Sequence, residues 1–455
     1  MSFNIPTFDL KNPEKIYSDI LKQPILLSYF YIYLFRHSKD IDLSLFSKNI
    51  QILSKKINSI SPKKNFDMYI SLSCILGAFL GDSLGGHCEF MDTSLYNHNR
   101  IYTNERFKNG QITDDSEMAI SNAFAIMDMS DVNNLDQNLL FYYYGIWIFS
   151  MPLDQGFTTS SALHNFRIQT MPIDGKNFFS DEIRNKIAKQ NCNSKANGGL
   201  MRISTLIVWF YYKNKNEIKS ILKSDCVTKF FDLYVLIYKE VEKDFEITHP
   251  NKENIVSGAL LTFMTLCTLN QYKGEETIKK LLILLENDIF NTSPDEKILK
   301  LIVKNTLDEI GNEKFQKFEY FKNVTVNPGY YVHAFKLCIY YLSVIDKMRK
   351  NEENIYLKII QEICDYGGDT DTNSAIVGTV IGPMIGYLNF TNDKLFQNLI
   401  NFFEPNRIIY TSCLIYFFIE YLDNCFNNKK KIENKNMIKF NTLKIILDMI
   451  TKNIN

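Results

Sequence analysis

Two runs of glycine spaced four residues apart constrain this chain more than any other feature. Gly77, Gly81 and Gly85 form the first, and Gly378, Gly382 and Gly386 the second. Residues four apart share one face of a helix. A face of glycines carries no side chains, so another helix backbone can approach it closely. Both runs lie among apolar residues, Leu76 to Leu80 in one and Ile376 to Ile381 in the other, so both read as buried helices. Close packing is the plain purpose of such glycines. Pro383, inside the second run, is expected to kink that helix because it lacks an N–H and its ring crowds the preceding turn.

The chemistry lies at two predicted helix starts. Asp369-Thr-Asp-Thr372 follows Gly367-Gly368, a pair that turns tightly with positive φ. Thr113, Asp114, Asp115 and Ser116 precede an apolar helix from Met118 to Met127. Taken singly, either cluster reads as an N-cap with a solvated acidic turn. Hard oxygen ligands grouped this way suit Mg²⁺, Mn²⁺ or Ca²⁺ better than zinc. If glycine packing brings the clusters together, their four carboxylates share a small space. Two like charges about 4 Å apart repel by about 4 kcal/mol even at an effective dielectric of about 20. Such a site needs protonated acids or cations, and two divalent ions are the simplest answer. Asp82 and Glu89 are the charged members of the apolar, mostly helical stretch Ser71 to Phe90. A carboxylate there needs a partner or a task, and pairing with backbone or arginine is the plain alternative.

The rest of the pattern is all-α: helix follows helix from Met68, and strand-like alternation is scarce. Residues 1–65 read as a helical N-terminal extension, with Ile16, Ile20 and Leu21 at helical spacing and a linker at Ser59 to Lys64. Residues 66–426 read as the main domain, and 427–455 as a polar Lys/Asn tail ending in a short helix from Ile438 to Ile450. Leu200 to Trp209 reads as a helix whose N-terminus, after Asn197-Gly-Gly, favours an anion. Lys+Arg and Asp+Glu are both 51, so no net charge recommends a nucleic-acid partner. The apolar stretch Pro24 to Phe35 is too short to span a bilayer. Nine scattered cysteines and a start without a basic leader point to a soluble, cytoplasmic protein. The oligomeric state is not readable.

Gly77 to Phe90, Thr113-Asp-Asp-Ser, Asn197-Gly-Gly-Leu-Met-Arg202, Thr248-His-Pro and Gly367-Gly-Asp-Thr-Asp-Thr372 occur in one order. In that order the chain resembles the ADP-ribosylglycohydrolase family, over roughly residues 69–425. Gly110-Gln-Ile-Thr-Asp-Asp and Ser150-Met-Pro-Leu-Asp-Gln-Gly156 make it most similar to the branch that activates dinitrogenase reductase. The resemblance implies a compact all-α domain with a binuclear Mg²⁺ or Mn²⁺ site that removes ADP-ribose from modified protein side chains. It implies Thr113, Asp114, Asp115, Asp369, Asp371 and Thr372 as metal ligands, with Ser116 where the family usually has Thr. It implies Asp154 as catalytic base and Glu89 as a residue of catalysis or site closure. The loop Ser194-Lys-Ala-Asn197-Gly198 matches the segment around the phosphates, His249 a histidine near the pyrophosphate, and Tyr330 an aromatic of the ribose or adenine pocket. Arg202 is expected to brace the fold. Phe157 departs from the pattern, standing where the nearest relatives have Asn. The branch favours an arginine linkage, with serine-linked and O-acetyl-ADP-ribose as alternatives. A non-catalytic ADP-ribose-binding module and a structural protein are the readings from other classes.

Overall fold

The computed structural model describes residues 15–16, 18–19, 60–91, 112–149, 152, 154–166, 179–322, 326–351, 354–391 and 405–427. Most of the expected N-terminal extension and the tail beyond residue 427 lie outside the described residues. The chain runs through α1 (Phe66–Gly85), α2 (Asp114–Asp128), α3 (Gln137–Phe149), α4 (Phe157–Leu163), α5 (Asp181–Asn191) and α6 (Ser204–Leu222). It continues through α7 (Val227–Phe245), α8 (Lys252–Leu269), α9 (Gly274–Leu285), α10 (Ile289–Thr292), α11 (Pro294–Ile310) and α12 (Lys317–Phe321). The last elements are α13 (Tyr331–Asn351), α14 (Ile355–Tyr366), α15 (Thr370–Ile385), α16 (Tyr387–Thr391) and α17 (Pro405–Phe426). Among the described residues there is no strand, only an isolated antiparallel bridge between Ala196 and Tyr330. The protein is all-α.

Local chemistry sets several boundaries. Ser180 caps α5 by accepting from the Ile183 N–H, and Asn251 caps α8 by accepting from the Glu253 and Asn254 N–H groups. Pro294 occupies the first turn of α11, where its missing N–H costs nothing. One boundary differs from expectation. Residues 198–203 form turns, so α6 starts at Ser204 rather than near Leu200.

Helix α1 lies at the centre, with Met68 to Gly85 all buried. It is long and apolar enough to cross a membrane, but 89% of its apolar window is covered by the fold itself. Helix α15 packs on it backbone to backbone. A Cβ on Gly77 would lie 2.4 Å from the Gly378 carbonyl oxygen, and one on Gly81 2.3 Å from that of Ser374. One on Gly85 would lie 2.3 Å from the Thr370 oxygen, and one on Gly382 2.2 Å from the Ser73 oxygen. No side chain fits at these crossings. Gly386 plays another part: with φ +83° it ends α15, under the Tyr69 ring.

Pro383 does not break α15, which runs through it to Ile385. The proline leaves the Thr379 carbonyl without its usual N–H donor. The Cys74 thiol of α1 donates to that oxygen at 3.5 Å. Within the expected linker Ile60 is buried, its carbonyl accepting from the Tyr387 hydroxyl at 3.2 Å, while Pro62, Lys63 and Lys64 are exposed.

Candidate active site

The glycine crossing brings the first turns of α2 and α15 together at the C-terminal end of α1. Thr113 is the N-cap residue of α2, and Asp114 and Asp115 open that helix. Asp369 is the N-cap residue of α15, followed by Asp371 and Thr372. Thr370 is turned away, its hydroxyl donating to the Gly85 carbonyl at 2.7 Å.

Asp82 of α1 ties the Thr113 to Ser116 cluster to the core. Its carboxylate accepts from the Thr113 N–H at 3.0 Å, the Thr113 hydroxyl at 2.8 Å, the Ser116 N–H at 3.1 Å and the Ser116 hydroxyl. It thus supplies from outside the cap that α2 needs for its first N–H groups. Burial pushes Asp82 up to about 6, and these donors limit the rise. Asp82 was not among the residues expected at the site. Its signal was a lone carboxylate on an apolar helix.

Carboxylate oxygens of Asp82, Asp115 and Asp371, all three buried, lie within 4.8 Å of one another. The Asp115 Oδ2 accepts from the hydroxyls of Thr113 at 3.1 Å and Thr372 at 3.3 Å. Its Oδ1 is buried with no hydrogen-bond partner. The Asp371 Oδ1 accepts from the Thr372 N–H at 2.9 Å, and the Asp114 Oδ2 from the Gly156 N–H at 3.3 Å. Burial pushes Asp114, Asp115 and Asp371 well above the usual carboxylate range. Neighbouring charges add to it: Asp154 and Asp369 for Asp114, Asp82 and Asp114 for Asp115, Glu89 and Asp369 for Asp371. An orphaned anionic oxygen among buried carboxylates and hydroxyls fits a hard divalent cation. A second acidic group joins the first: Glu89, Asp154 and Asp371 also place carboxylate oxygens within 4.8 Å of one another. Glu89 and Asp154 are only half-buried, so this group opens outward.

The loop at Ser194 to Gly198 borders the same acids. Asn197 donates from Nδ2 to Asp369 Oδ2 at 2.8 Å and from its N–H to the Gly329 carbonyl at 2.8 Å. Ser194 and Thr158 hydroxyls meet at 2.7 Å. Asn254 Nδ2 donates to the carbonyls of Ser194 and Ala196, each at 3.1 Å, from beneath. Lys195 reaches Glu253 at 2.6 Å, and Glu253 also accepts from the Tyr331 hydroxyl at 2.8 Å. Tyr330 is half-buried, edge-on to Tyr331 and to His333 with ring centroids 5.1 and 5.8 Å away. His249 is buried over Gly198. Arg202 is fully buried and donates to the Gly198 carbonyl at 3.4 Å. Phe157 stands 86% exposed beside Gly156. All thirteen expected site residues are therefore among the described ones, on segments joined by these bonds and acidic groups.

The family model for ADP-ribosylglycohydrolase matches residues 71–395. A protein of Acanthamoeba polyphaga mimivirus with the provisional name ADP-ribosyl glycohydrolase L543 is 27% identical over 327 residues, covering 69% of this chain and 86% of its own. A solved structure described as an ADP-ribosylglycohydrolase-related protein complex aligns with a TM-score of 0.50 at 15% identity. That alignment covers 77% of this chain and 98% of the solved one, and at such identity it speaks to the fold alone.

Proposed function

Because the chain belongs to the ADP-ribosylglycohydrolase family, enzymes that hydrolyse ADP-ribose linkages, we propose that it uses two Mg²⁺ or Mn²⁺ ions to cleave ADP-ribose from a modified protein side chain, arginine first among the candidates. The observation that carries this reading is the double membership of Asp371. It belongs both to the sealed group with Asp82 and Asp115 and to the open group with Glu89 and Asp154. One carboxylate thus joins a place for cations to a place for water.

Thr113, Asp114, Asp115, Asp369, Asp371 and Thr372 are the oxygen donors for the cations. Bound divalent ions would supply the positive charge that orients the ribose hydroxyls and activates a water. Cleavage at the anomeric carbon passes through an oxocarbenium-like state. Asp154 or Glu89 takes the proton of the attacking water, and the other delivers one to the leaving nitrogen. A guanidine leaves only when protonated, so the pair of half-buried acids suits an arginine linkage. The loop Ser194 to Gly198 offers N–H groups and the Ser194 hydroxyl to the phosphates, and Tyr330 offers an aromatic face beside it. Cytoplasmic location, expected from the cysteine usage, belongs to the same proposal.

The test is release of free ADP-ribose from an arginine-linked and a serine-linked substrate, with Mg²⁺, with Mn²⁺ and with EDTA. Release that depends on metal and favours the arginine substrate is expected. Release from the serine substrate alone would move the linkage. Equal release in EDTA would refute the metal scheme.

A further inference from the structure

Phe157 is the most exposed large apolar side chain among the described residues, at 86%. One exposed apolar residue means little by itself, so its setting decides. The backbone on both sides of it is fastened. The Gly156 N–H donates to Asp114 Oδ2 at 3.3 Å, and the Gly156 carbonyl accepts from the Ser160 N–H at 2.9 Å. The Phe157 carbonyl accepts from the Ser160 hydroxyl at 3.1 Å. Next along the chain, the Thr158 carbonyl accepts from Asn191 Nδ2 at 2.9 Å, and Thr159 is buried. The ring thus stands in water on a backbone that is tied down around it.

Its direction follows from the helix. Phe157 is the first residue of α4, and Cα–Cβ bonds in a helix tilt toward the N-terminus. That end is Gly156, held against Asp114, with Asp154 two residues before it. Asp154 shares the open acidic group with Glu89 and Asp371, their carboxylate oxygens within 4.8 Å of one another. An aromatic ring and two half-buried acids therefore share one rim of the site. An aromatic face attracts cations, guanidinium most often. A planar guanidinium donates to carboxylates from its edge and stacks through its face at once. The protein uses this pairing twice inside itself. Arg202 lies 4.5 Å over the Tyr144 ring and donates to Asp244, and Arg184 lies 4.7 Å over the Phe179 ring and pairs with Glu246 at 2.6 Å. At the rim the ring and the acids belong to the protein, and the guanidinium comes with the substrate.

We propose that Phe157 is a specificity residue, whose ring stacks on the guanidinium of the modified arginine while Asp154 and Glu89 face the edge of the same group. This rests on the arginine reading above and gives it a cause in this chain. A serine oxygen or an acetyl ester carries no charge for the ring to hold. The ring also favours the protonated guanidine, the form that leaves.

The test compares Phe157→Leu, which keeps an apolar side chain without the π-face, with Phe157→Tyr, which keeps the face. At 86% exposure both should fold as the wild type does, checked by melting temperature. On arginine-linked ADP-ribose, kcat/KM should fall roughly five- to tenfold in Phe157→Leu and stay within about twofold in Phe157→Tyr. On a serine-linked substrate both variants should match the wild type. The second readout needs no turnover: calorimetry of agmatine, a free alkylguanidinium, with protein saturated by ADP-ribose. Its affinity should weaken by the same factor in Phe157→Leu alone. Equal loss on both linkages, or weaker binding of ADP-ribose itself in Phe157→Leu, would put the ring against the ADP-ribosyl group and overturn the proposal. Unchanged agmatine affinity in Phe157→Leu would overturn it too. If no substrate is cleaved, the hydrolase reading falls and the agmatine affinities alone decide on the ring; a wild type that does not bind agmatine would end both.

Discussion

The protein buries charge in two neighbouring places and treats it in opposite ways. Around Arg202 the charge is closed. Asp244 accepts from Arg202 Nε at 3.0 Å, from the Tyr144 hydroxyl at 2.5 Å and from Asn122 Nδ2 at 3.4 Å. Arg202 lies 4.5 Å over the Tyr144 ring and also donates to the Asp244 and Gly198 carbonyls. Cation, anion and dipoles compensate one another within the protein. Around Asp115 the charge is open: three buried carboxylates converge, the charges that shift Asp115 are the carboxylates of Asp82, Asp114 and Asp369, and among the described residues Oδ1 has no partner. Polar interiors that hold a fold satisfy themselves. One that leaves an anionic oxygen orphaned is shaped for something brought from outside.

Three substitutions put that contrast under strain. The largest effect is expected on the closed side. Arg202→Met leaves Asp244 buried without its cation and should lower stability by about 3–5 kcal/mol, read from the urea midpoint at constant slope. A loss below about 1 kcal/mol would mean that Asp244 finds another partner and that the network is not closed. On the open side Asp115→Asn should do the reverse. It removes a repelling charge, so metal-free protein should be as stable or more stable, while kcat/KM falls by more than the roughly 100-fold that loss of an outer-sphere partner costs. Destabilisation with full activity would place Asp115 in the frame rather than in the site. Gly81→Ala lies between the two. Its Cβ meets the Ser374 backbone oxygen, and overpacking of this kind costs about 1–3 kcal/mol. Because α1 also carries Asp82, the turn at Thr113 should shift and activity should drop further than stability alone explains. Equal loss of both would show that the glycine contact serves packing only.

The sequence disclosed what is local and hid what is long-range. A period of four made the glycine helices legible, and adjacent acids and hydroxyls made both clusters legible. The fate of Pro383 was not legible, because the compensating thiol, Cys74, is 305 residues away from the carbonyl it serves. Gly386 shares the spacing of Gly378 and Gly382, yet its positive φ makes it a helix end. The role of Asp82 depended on donors 31 and 34 residues along the chain. The start of α6 was misplaced because Leu200 to Ile203 keep helical spacing although the backbone is still turning.

The smallest effect is also the most specific. Asp114, Asp115 and Asp371 titrate well above the ordinary carboxylate range in the folded chain, and Asp82 at about 6. An unfolded aspartate titrates near 3.9. Between those values the folded chain holds protons that the unfolded chain has lost, so stability falls as pH rises. The contribution is fully present below about pH 4 and is lost as pH climbs through about 6 and beyond. Ordinary surface carboxylates with depressed values act in the opposite sense, so the comparison must be made against Asp115→Asn. In EDTA the wild type should lose melting temperature relative to that variant as pH rises from 5 to 8. With Mg²⁺ or Mn²⁺ the difference should shrink or reverse, since a cation replaces the protons and binding at about 100 times Kd adds about 2.7 kcal/mol. Parallel pH curves for the two proteins in EDTA would mean that the acids find their compensation inside the protein after all, and the two regions would then differ only in detail.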